Sequence, residues 1–287
     1  MENRPRILIV TAAMGSGHRE VGAELARRLS ARGARCAQFD LIEDAGPAGR
    51  RLQRTYRTLL SAAPWVYDAA MRFWARHPAP LEAFTARNAR PFERALAAAV
   101  ERFDPGTVVA TYNLAGQCLG RLRARGELTC PVTTLVIDPG AHPYWVSRHV
   151  DRHLAPLPQT AERLLEFGAP AVAVTAPVLR SEFAAPPERD AARAALRLPA
   201  DARIVLVNGG SWAAGHVERT VALLGRRRDI TTVVLCGRDE RLARRLAGRP
   251  RVVPVPWTAR VVDQLAAADV VVDNAGGLTC WEALACR

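Results

Sequence analysis

The sequence contains no lysine, so arginine supplies all 40 basic residues against 28 acidic ones, and the net charge is +12. A charge of this size and sign favours acidic partners such as phosphates or an anionic membrane surface. No stretch approaches the ~18 consecutive apolar residues that would predict a transmembrane helix. The apolar run near the N-terminus is short and lacks the small-residue cleavage site of a signal peptide. We therefore expect a protein that is soluble or lies on a surface.

The chain also has little that could bind a metal or form disulfides. Its six cysteines include no C-x-x-C pair, and the six histidines form no cluster at metal-ligand spacing. This pattern is typical of reduced thiols in a cytoplasmic protein. The sequence has no D-x-D triplet either, and so lacks the usual carboxylates of a metal clamp on a diphosphate. We expect no metal site and no cofactor.

Short β-branched runs alternate with amphipathic stretches along the whole chain. The first series lies at 7–11, 35–40, 107–111, 133–137 and 171–175, and the second at 203–208, 231–236, 251–255 and 269–274. Such alternation predicts βαβ units and mainly parallel sheets covered on both faces. The proline-rich segment between the two series predicts a linker at 179–200. We expect an α/β protein with two Rossmann-like domains, at 1–178 and 201–287.

Glycine-containing turns follow three of the predicted strands, in TAAMGSGHRE, VNGGSWAAGH and DNAGGLTCWE. In open α/β sheets, ligands bind at the carboxyl ends of strands, where glycines let backbone N–H groups approach a phosphate. The first turn has two interpretations. Gly15, Gly17 and Asp40 fit a nicotinamide-cofactor fingerprint, although Glu20 occupies the third glycine position. Glycines in a tight strand–helix turn can also have a purely steric role.

Four motifs together resemble the monogalactosyldiacylglycerol synthase family, namely GSGHRE, DPGAHPYW, GGSWAAG and DNAGGLTCWEAL, in this order along essentially the whole chain. That family is related to the GlcNAc transferase that forms lipid II. The resemblance implies the GT-B fold, in which two Rossmann-like parallel-sheet domains face each other across a cleft. The N-terminal domain takes the acceptor and the C-terminal domain holds a UDP-sugar. By this resemblance the second domain is incomplete, since its last helix begins near Leu278 and the chain stops at Arg287.

The resemblance further implies an inverting, metal-independent transfer of a hexose from a UDP-sugar to a lipid acceptor such as diacylglycerol. His18 matches the base proposed for the family, and its place at a helix N-terminus predicts a lowered pKa and a neutral ring. Asp138 and His142 follow a strand and are expected at the same sheet edge, where they orient the acceptor or assist His18. Asp138 could equally cap the turn at Pro139.

The substrate-binding residues are expected in the glycine turns. Gly15 and Gly17 belong to the acceptor-side loop. By resemblance, Gly209, Gly210 and Ser211 contact phosphate, whereas Gly276, Gly277 and Thr279 form the donor loop and Glu282 binds the ribose hydroxyls.

Residues 50–76 interleave arginines with aromatic residues between the second and third predicted strands. Arginine beside tryptophan and tyrosine suits an anionic lipid interface, and the resemblance places a membrane-facing, acceptor-capturing segment at 50–95. The candidate residues are Tyr56, Trp65, Tyr67, Phe73 and Trp74. A pair of amphipathic helices packed on the first domain is the other interpretation, and nucleic acid is disfavoured because no recognisable module accompanies the segment. We expect a peripheral protein on the cytoplasmic face of the cell membrane. The alternatives to a glycosyltransferase are a non-catalytic UDP- or lipid-binding protein and an NAD-dependent enzyme.

Overall fold

Parallel sheets account for both series of β-branched runs. The computed structural model describes residues 4–213, 215–273 and 276–287. The chain divides into two compact units, one formed by Met1–Leu59 and Ala63–Val178 and the other by Leu60–Ala62 and Leu179–Arg287. Each unit contains its own parallel sheet, so the expected α/β class is confirmed.

The sheet of the first unit has the strand order β2-β1-β3-β4-β5-β6, and its neighbouring strands pair in parallel. The strands are β1 (Arg6–Thr11), β2 (Arg35–Asp40), β3 (Thr107–Ala110), β4 (Val132–Leu135), β5 (Arg152–Ala155) and β6 (Val172–Val174). The helices are α1 (Gly17–Ala31), α2 (Pro47–Ala62), α3 (Pro64–Arg76), α4 (Pro78–Asn88), α5 (Arg90–Phe103), α6 (Asn113–Ala124) and α7 (Pro158–Glu166).

The interior strand β1 shows that this sheet is covered on both faces. Its residues Leu8, Ile9 and Val10 are almost fully buried although they point alternately to opposite sides of the sheet. Leu8 and Val10 pack in a core with Leu96 of α5 and other buried residues, whereas Ile9 packs in a separate cluster that includes residues of α1. A strand buried on both faces has a continuous apolar sequence, which the run at 7–11 shows.

Between β2 and β3 the chain forms α2, α3, α4 and α5 instead of a single crossover helix. Each of these helices carries a proline in its first turn, where the missing N–H costs no hydrogen bond and the fixed φ suits a helix. The prolines therefore mark where each helix starts, and the segment predicted at 50–95 lies within this helical insertion.

The sheet of the second unit has the order β10-β7-β8-β9, again with parallel neighbours. Its strands are β7 (Arg203–Asn208), β8 (Ile230–Leu235), β9 (Val252–Val255) and β10 (Val270–Asp273). The helices are α8 (Arg189–Leu196), α9 (Val217–Leu224), α10 (Glu240–Leu246), α11 (Val261–Ala267) and α12 (Gly277–Ala285).

The segment 179–200, expected to be a linker, folds as part of the second unit. It contains α8, whose buried Arg193 donates to the backbone carbonyl of Ala267 and, at 2.7 Å, to the carboxylate of Asp269. These bonds attach α8 to the end of α11 and to the segment between α11 and β10. The proline-rich segment is therefore folded onto the second unit.

Candidate active site

The glycine turn after β1 is held in shape by the carboxylate of Asp40 at the end of β2. Oδ1 of Asp40 accepts N–H groups from Ala13, Ile42 and Glu43 at 2.9 to 3.1 Å. Gly15 has a φ of 91°, which a residue with a side chain rarely adopts. Because the backbone of the turn occupies this carboxylate oxygen, the geometry favours a structural role for Asp40 over the ribose contact of a nicotinamide fingerprint.

His18 lies in the first turn of α1 and is held by Thr111, which follows β3. Its Nδ1 lies 2.6 Å from the carbonyl oxygen of Thr111, and the Thr111 hydroxyl donates to the carbonyl of His18 at 3.1 Å. Since a carbonyl oxygen can only accept, Nδ1 carries the proton in the neutral ring and the lone pair is on Nε2. The imidazole is thereby fixed in the tautomer that a base requires.

The pKa of His18 is lowered, and the leading cause is burial, which disfavours the charged ring. The carboxylate of Asp138, the carbonyl of Thr111 and the carboxylate of Asp40 oppose this shift without cancelling it. The sequence predicted a lowered pKa from the helix dipole, so the direction agrees and burial is the main reason. The ring is neutral at pH 7.

Asp138 and His142 reach the same place from the loop after β4. The Asp138 carboxylate interacts electrostatically with both His18 and His142. Burial lowers the pKa of His142 despite this carboxylate, and Nδ1 of His142 is buried without a hydrogen-bond partner among the described residues. The structure therefore brings the three residues predicted to be catalytic together within the first unit.

Tyr112 contacts His18 and lies near the other tyrosines, a feature that the sequence did not suggest. Tyr112 makes an edge contact with the imidazole, with ring centroids 4.9 Å apart. Its pKa is raised well above the usual value, first by burial and then by Tyr144, Tyr56 and Tyr67. All four tyrosines of the chain thus lie close enough to influence one another. Burial also raises the pKa of Tyr56 and Tyr144, so the hydroxyl groups of these two residues and of Tyr112 stay protonated.

The five aromatic residues predicted to face a membrane or an acceptor fall into two groups. Tyr56 and Tyr67 are half-buried, with ring centroids 5.6 Å apart, and Trp74 stacks on Tyr144 at 6.4 Å. Trp65 and Phe73 are instead 70% and 49% exposed. The first group lies near Tyr112 and Tyr144, and the second lies on the surface of α3.

The exposed face of α3 combines apolar and basic side chains. Arg72 and Arg76 are exposed on the same helical face as Trp65 and Phe73. On α2, the exposed residues include Arg50, Arg51, Arg54 and Arg57. This composition is typical of a helix that lies on an anionic membrane surface. Within the described part of the chain, no helix is long and apolar enough to span a bilayer.

In the second unit, Asn208 joins two of the predicted donor loops. Its side-chain oxygen accepts from the N–H of Gly210 at 3.1 Å, and its amide nitrogen donates to Asp273 at 2.9 Å and to Thr279 at 3.2 Å. A Cβ on Gly209 would lie 2.7 Å from the backbone of Ala213, so only glycine fits there. The structure therefore places the turn after β7 beside the start of α12.

The hydroxyl of Ser211 is unusual in this turn. Its Oγ is buried and has no hydrogen-bond partner among the residues that the structure describes. A buried hydroxyl in this state costs free energy unless a ligand or water satisfies it. Ser211 thus offers a donor at the carboxyl end of β7, where the sequence predicted a phosphate contact.

The other predicted donor loop begins with Gly276 at a φ of 96°, and Gly277 opens α12. The predicted ribose ligand Glu282 is 2% exposed, and its carboxylate accepts from Nε of Arg180 at 2.6 Å. The two residues are separated by 102 positions, and no local sequence pattern pairs them. Arg180 fixes the orientation of this carboxylate.

Trp257 is a further exposed residue near these loops that the sequence did not single out. It follows β9, is 50% exposed, and lies under the guanidinium of Arg238 at 4.7 Å from the ring centroid. Arg238 follows β8, and its backbone N–H donates to the carbonyl of Ser211 at 3.0 Å. An aromatic ring is therefore presented next to the Ser211 turn, at the sheet edge where ligands bind.

The described residues contain no group of His, Cys, Asp and Glu that could hold a metal ion.

Comparison with known proteins identifies the family and the fold. Residues 18–176 match the profile of the monogalactosyldiacylglycerol (MGDG) synthase family. A processive diacylglycerol β-glucosyltransferase of Bacillus licheniformis is 23% identical over 99% of this chain and 76% of its own length. Among solved structures, MurG of Acinetobacter baumannii is similar with a TM-score of 0.56 and 16% identity, over 99% of this chain and 76% of that one. Sucrose-phosphate synthase of Thermosynechococcus elongatus is similar with a TM-score of 0.62 and 17% identity, over 99% of this chain and 79% of that one.

Proposed function

Since the chain belongs to the MGDG synthase family of GT-B glycosyltransferases, we propose that it transfers a hexose from a UDP-sugar to the free hydroxyl of diacylglycerol. The observation that carries this proposal is the state of His18. Its ring is neutral, Nδ1 is committed to the Thr111 carbonyl, and Nε2 keeps a lone pair. A general base for an alcohol acceptor needs these three properties.

In this mechanism Nε2 of His18 removes the proton of the acceptor hydroxyl as its oxygen attacks the anomeric carbon. The bond from that carbon to the diphosphate breaks, and UDP leaves with the bonding electrons. A single displacement of this kind inverts the anomeric configuration. The imidazolium that forms is stabilised by the nearby carboxylate of Asp138 and by the Thr111 carbonyl.

The second unit supplies the donor side of the proposal. The turn at Gly209 and Gly210 places the buried hydroxyl of Ser211 at the carboxyl end of β7, where this hydroxyl is suited to donate to the departing diphosphate. The carboxylate of Glu282 can accept from both ribose hydroxyls. We assign the exposed ring of Trp257 to stacking on the uracil base, because base–aromatic stacking contributes about 1–3 kcal/mol.

The acceptor side lies in the first unit, whose helices α2 and α3 we assign to the membrane. Diacylglycerol resides in the bilayer, so the enzyme has to reach its hydroxyl at the surface. Trp65 and Phe73 can insert at the apolar boundary while the arginines of both helices contact anionic headgroups. This supports a peripheral position on the inner face of the cell membrane, where UDP-sugars are available.

The test separates chemistry from binding. The chain is incubated with radiolabelled UDP-glucose or UDP-galactose and vesicles that contain diacylglycerol, and UDP binding is measured by calorimetry. We expect labelled glycolipid from the wild type. His18→Gln should lower turnover by at least about 100-fold, the usual contribution of a general base, and leave UDP affinity unchanged.

Unchanged turnover in His18→Gln would remove His18 as the base. UDP binding by the wild type without any glycolipid would indicate a non-catalytic binding protein instead. Binding of NAD in place of UDP would overturn the whole assignment and favour the fingerprint interpretation of Gly15 and Gly17.

A further inference from the structure

Trp145 is buried beside His18, Asp138 and His142. It ends the short 3-10 turn Pro143–Trp145 and is 1% exposed. Its indole Nε1–H donates to Oδ2 of Asp138 at 3.2 Å. A buried indole N–H requires an acceptor. Here the acceptor is the carboxylate of Asp138, the charged group with the largest effect on His18.

The ring of Trp145 also lies beside both histidines. Its centroid is 6.2 Å from that of His18 and 6.2 Å from that of His142, with the planes tilted by 46° and 40°. The side chain of Trp145 therefore lies next to both imidazoles. It also donates a hydrogen bond to the Asp138 carboxylate, which interacts with both of them.

The backbone around Trp145 is held from several sides, so the indole can act as a fixed point. The N–H of Trp145 donates to the carbonyl of His142 at 3.0 Å. The side-chain amide of Gln117, from α6, donates to the carbonyls of Tyr144 and Val146 at 3.1 and 2.5 Å. Asp138 precedes a Pro-Gly pair, where an aspartate can also cap its own backbone.

We propose that Trp145 is a positioning residue whose indole N–H holds the Asp138 carboxylate beside His18. This inference rests on the proposed function for its consequence in catalysis, whereas the positioning itself can be measured without turnover. The strength of the interaction between a carboxylate and an imidazolium depends on their separation. A carboxylate kept in place stabilises the imidazolium that forms when His18 accepts the proton.

The groups that face His18 determine what removal of the indole does. Asp138 and Asp40 are the charged groups that act on the ring, and Asp138 has the larger effect. Tyr112 is protonated and His142 is neutral, because burial raises the pKa of the first and lowers that of the second. The Asp138 carboxylate raises the pKa of His18 and so opposes the effect of burial. Loss of this contact should therefore lower the pKa of His18 further and move its titration to lower pH.

The experiment is an NMR titration of His18 in carbon-labelled protein. Trp145→Phe keeps an aromatic ring and removes only the N–H donor. We expect the His18 titration to move to lower pH in Trp145→Phe and in Asp138→Asn, with no additional shift in the double variant, because both changes break one interaction. Trp65→Phe replaces a tryptophan that is 70% exposed and should leave the titration unchanged.

An unchanged His18 titration in folded Trp145→Phe, or shifts that add in the double variant, would overturn the proposal. If Trp145→Phe does not fold, the indole N–H resonance of Trp145 decides the question in proteins that keep the tryptophan. It should move in Asp138→Asn relative to the wild type, and a constant resonance would contradict the bond.

Turnover provides the second readout. Trp145→Phe should lower kcat about tenfold, as expected for loss of a hydrogen bond to a charged group, with little change in KM for the UDP-sugar. A change in KM alone would contradict positioning of the base. A wild type without any turnover would overturn the proposed function, and the NMR result would still decide whether Trp145 holds Asp138.

Discussion

Acid should destabilise the first unit through His153, and the size of the effect follows from its burial. The His153 side chain is fully buried in β5, and burial lowers its pKa from 6.5 to about 4, against the opposing effect of the backbone at Ala171 and Trp145. In the unfolded chain the ordinary value returns. Between pH 6.5 and about 4 the unfolded state therefore binds a proton that the folded state does not.

The sign and magnitude follow from this difference. Above pH 6.5 His153 is neutral in both states and contributes no pH dependence. As the pH falls from 6.5 towards 4, the stability of the folded state decreases by about 1.36 kcal/mol per unit, or about 3 kcal/mol in all. By pH 5 the loss should reach about 2 kcal/mol.

The same proton matters for the candidate site. Nε2 of His153 faces the backbone N–H of Ser147 at 3.5 Å, in the loop that also carries Trp145. A protonated Nε2 can no longer accept from this N–H. Acid should therefore loosen the loop that positions Asp138.

The assay is urea unfolding followed by tryptophan fluorescence at pH 7 and pH 5. His153→Gln keeps an acceptor and removes the titrating group, so its free energy of unfolding should fall about 2 kcal/mol less than that of the wild type between these values. His149→Gln removes an exposed histidine and should behave like the wild type. Equal losses in the wild type and His153→Gln would show that protonation of His153 does not cause the loss of stability.

Other predictions concern the two substrates. Gly209→Ala should abolish UDP binding in calorimetry, since the added Cβ would lie 2.7 Å from backbone, whereas Gly106→Ala, with its nearest atom at 3.7 Å, should bind normally. Trp257→Leu should weaken UDP binding by about tenfold or more if the ring stacks on the base, and unaltered affinity would contradict that assignment. Trp65→Ser combined with Phe73→Ser should reduce sedimentation with anionic vesicles, and full binding by this variant would exclude α3 as the membrane contact.

The strands were predictable from the sequence wherever both faces are apolar. The run at 7–11 is an example, since its residues are buried on either side of the sheet. The strand β5 was missed because its four residues include Arg152 and the buried His153 and form no aliphatic run. The linker predicted at 179–200 was not recognised as part of the second unit, because α8 is attached through Arg193 to residues more than 70 positions away.

The meeting of His18, Asp138 and His142 could be expected because the carboxyl ends of parallel strands lie at one sheet edge. The contacts around His18 could not be expected from the sequence. The contact with Thr111 spans 93 positions, and the approach of Tyr56 and Tyr67 depends on how α2 and α3 pack. Local sequence patterns carry no information on such packing, so burial as the main cause of the lowered His18 pKa was also out of reach.

The most direct test of the central claim is the product formed from UDP-glucose and diacylglycerol. The lipid fraction is isolated after incubation with the chain, and NMR determines the configuration at the anomeric carbon. We expect a glycosyl diacylglycerol in which the α-configuration of the donor has become β, as a single displacement with His18 as base requires. A product with retained α-configuration, or no lipid product from any UDP-hexose by a chain that binds UDP, would contradict it.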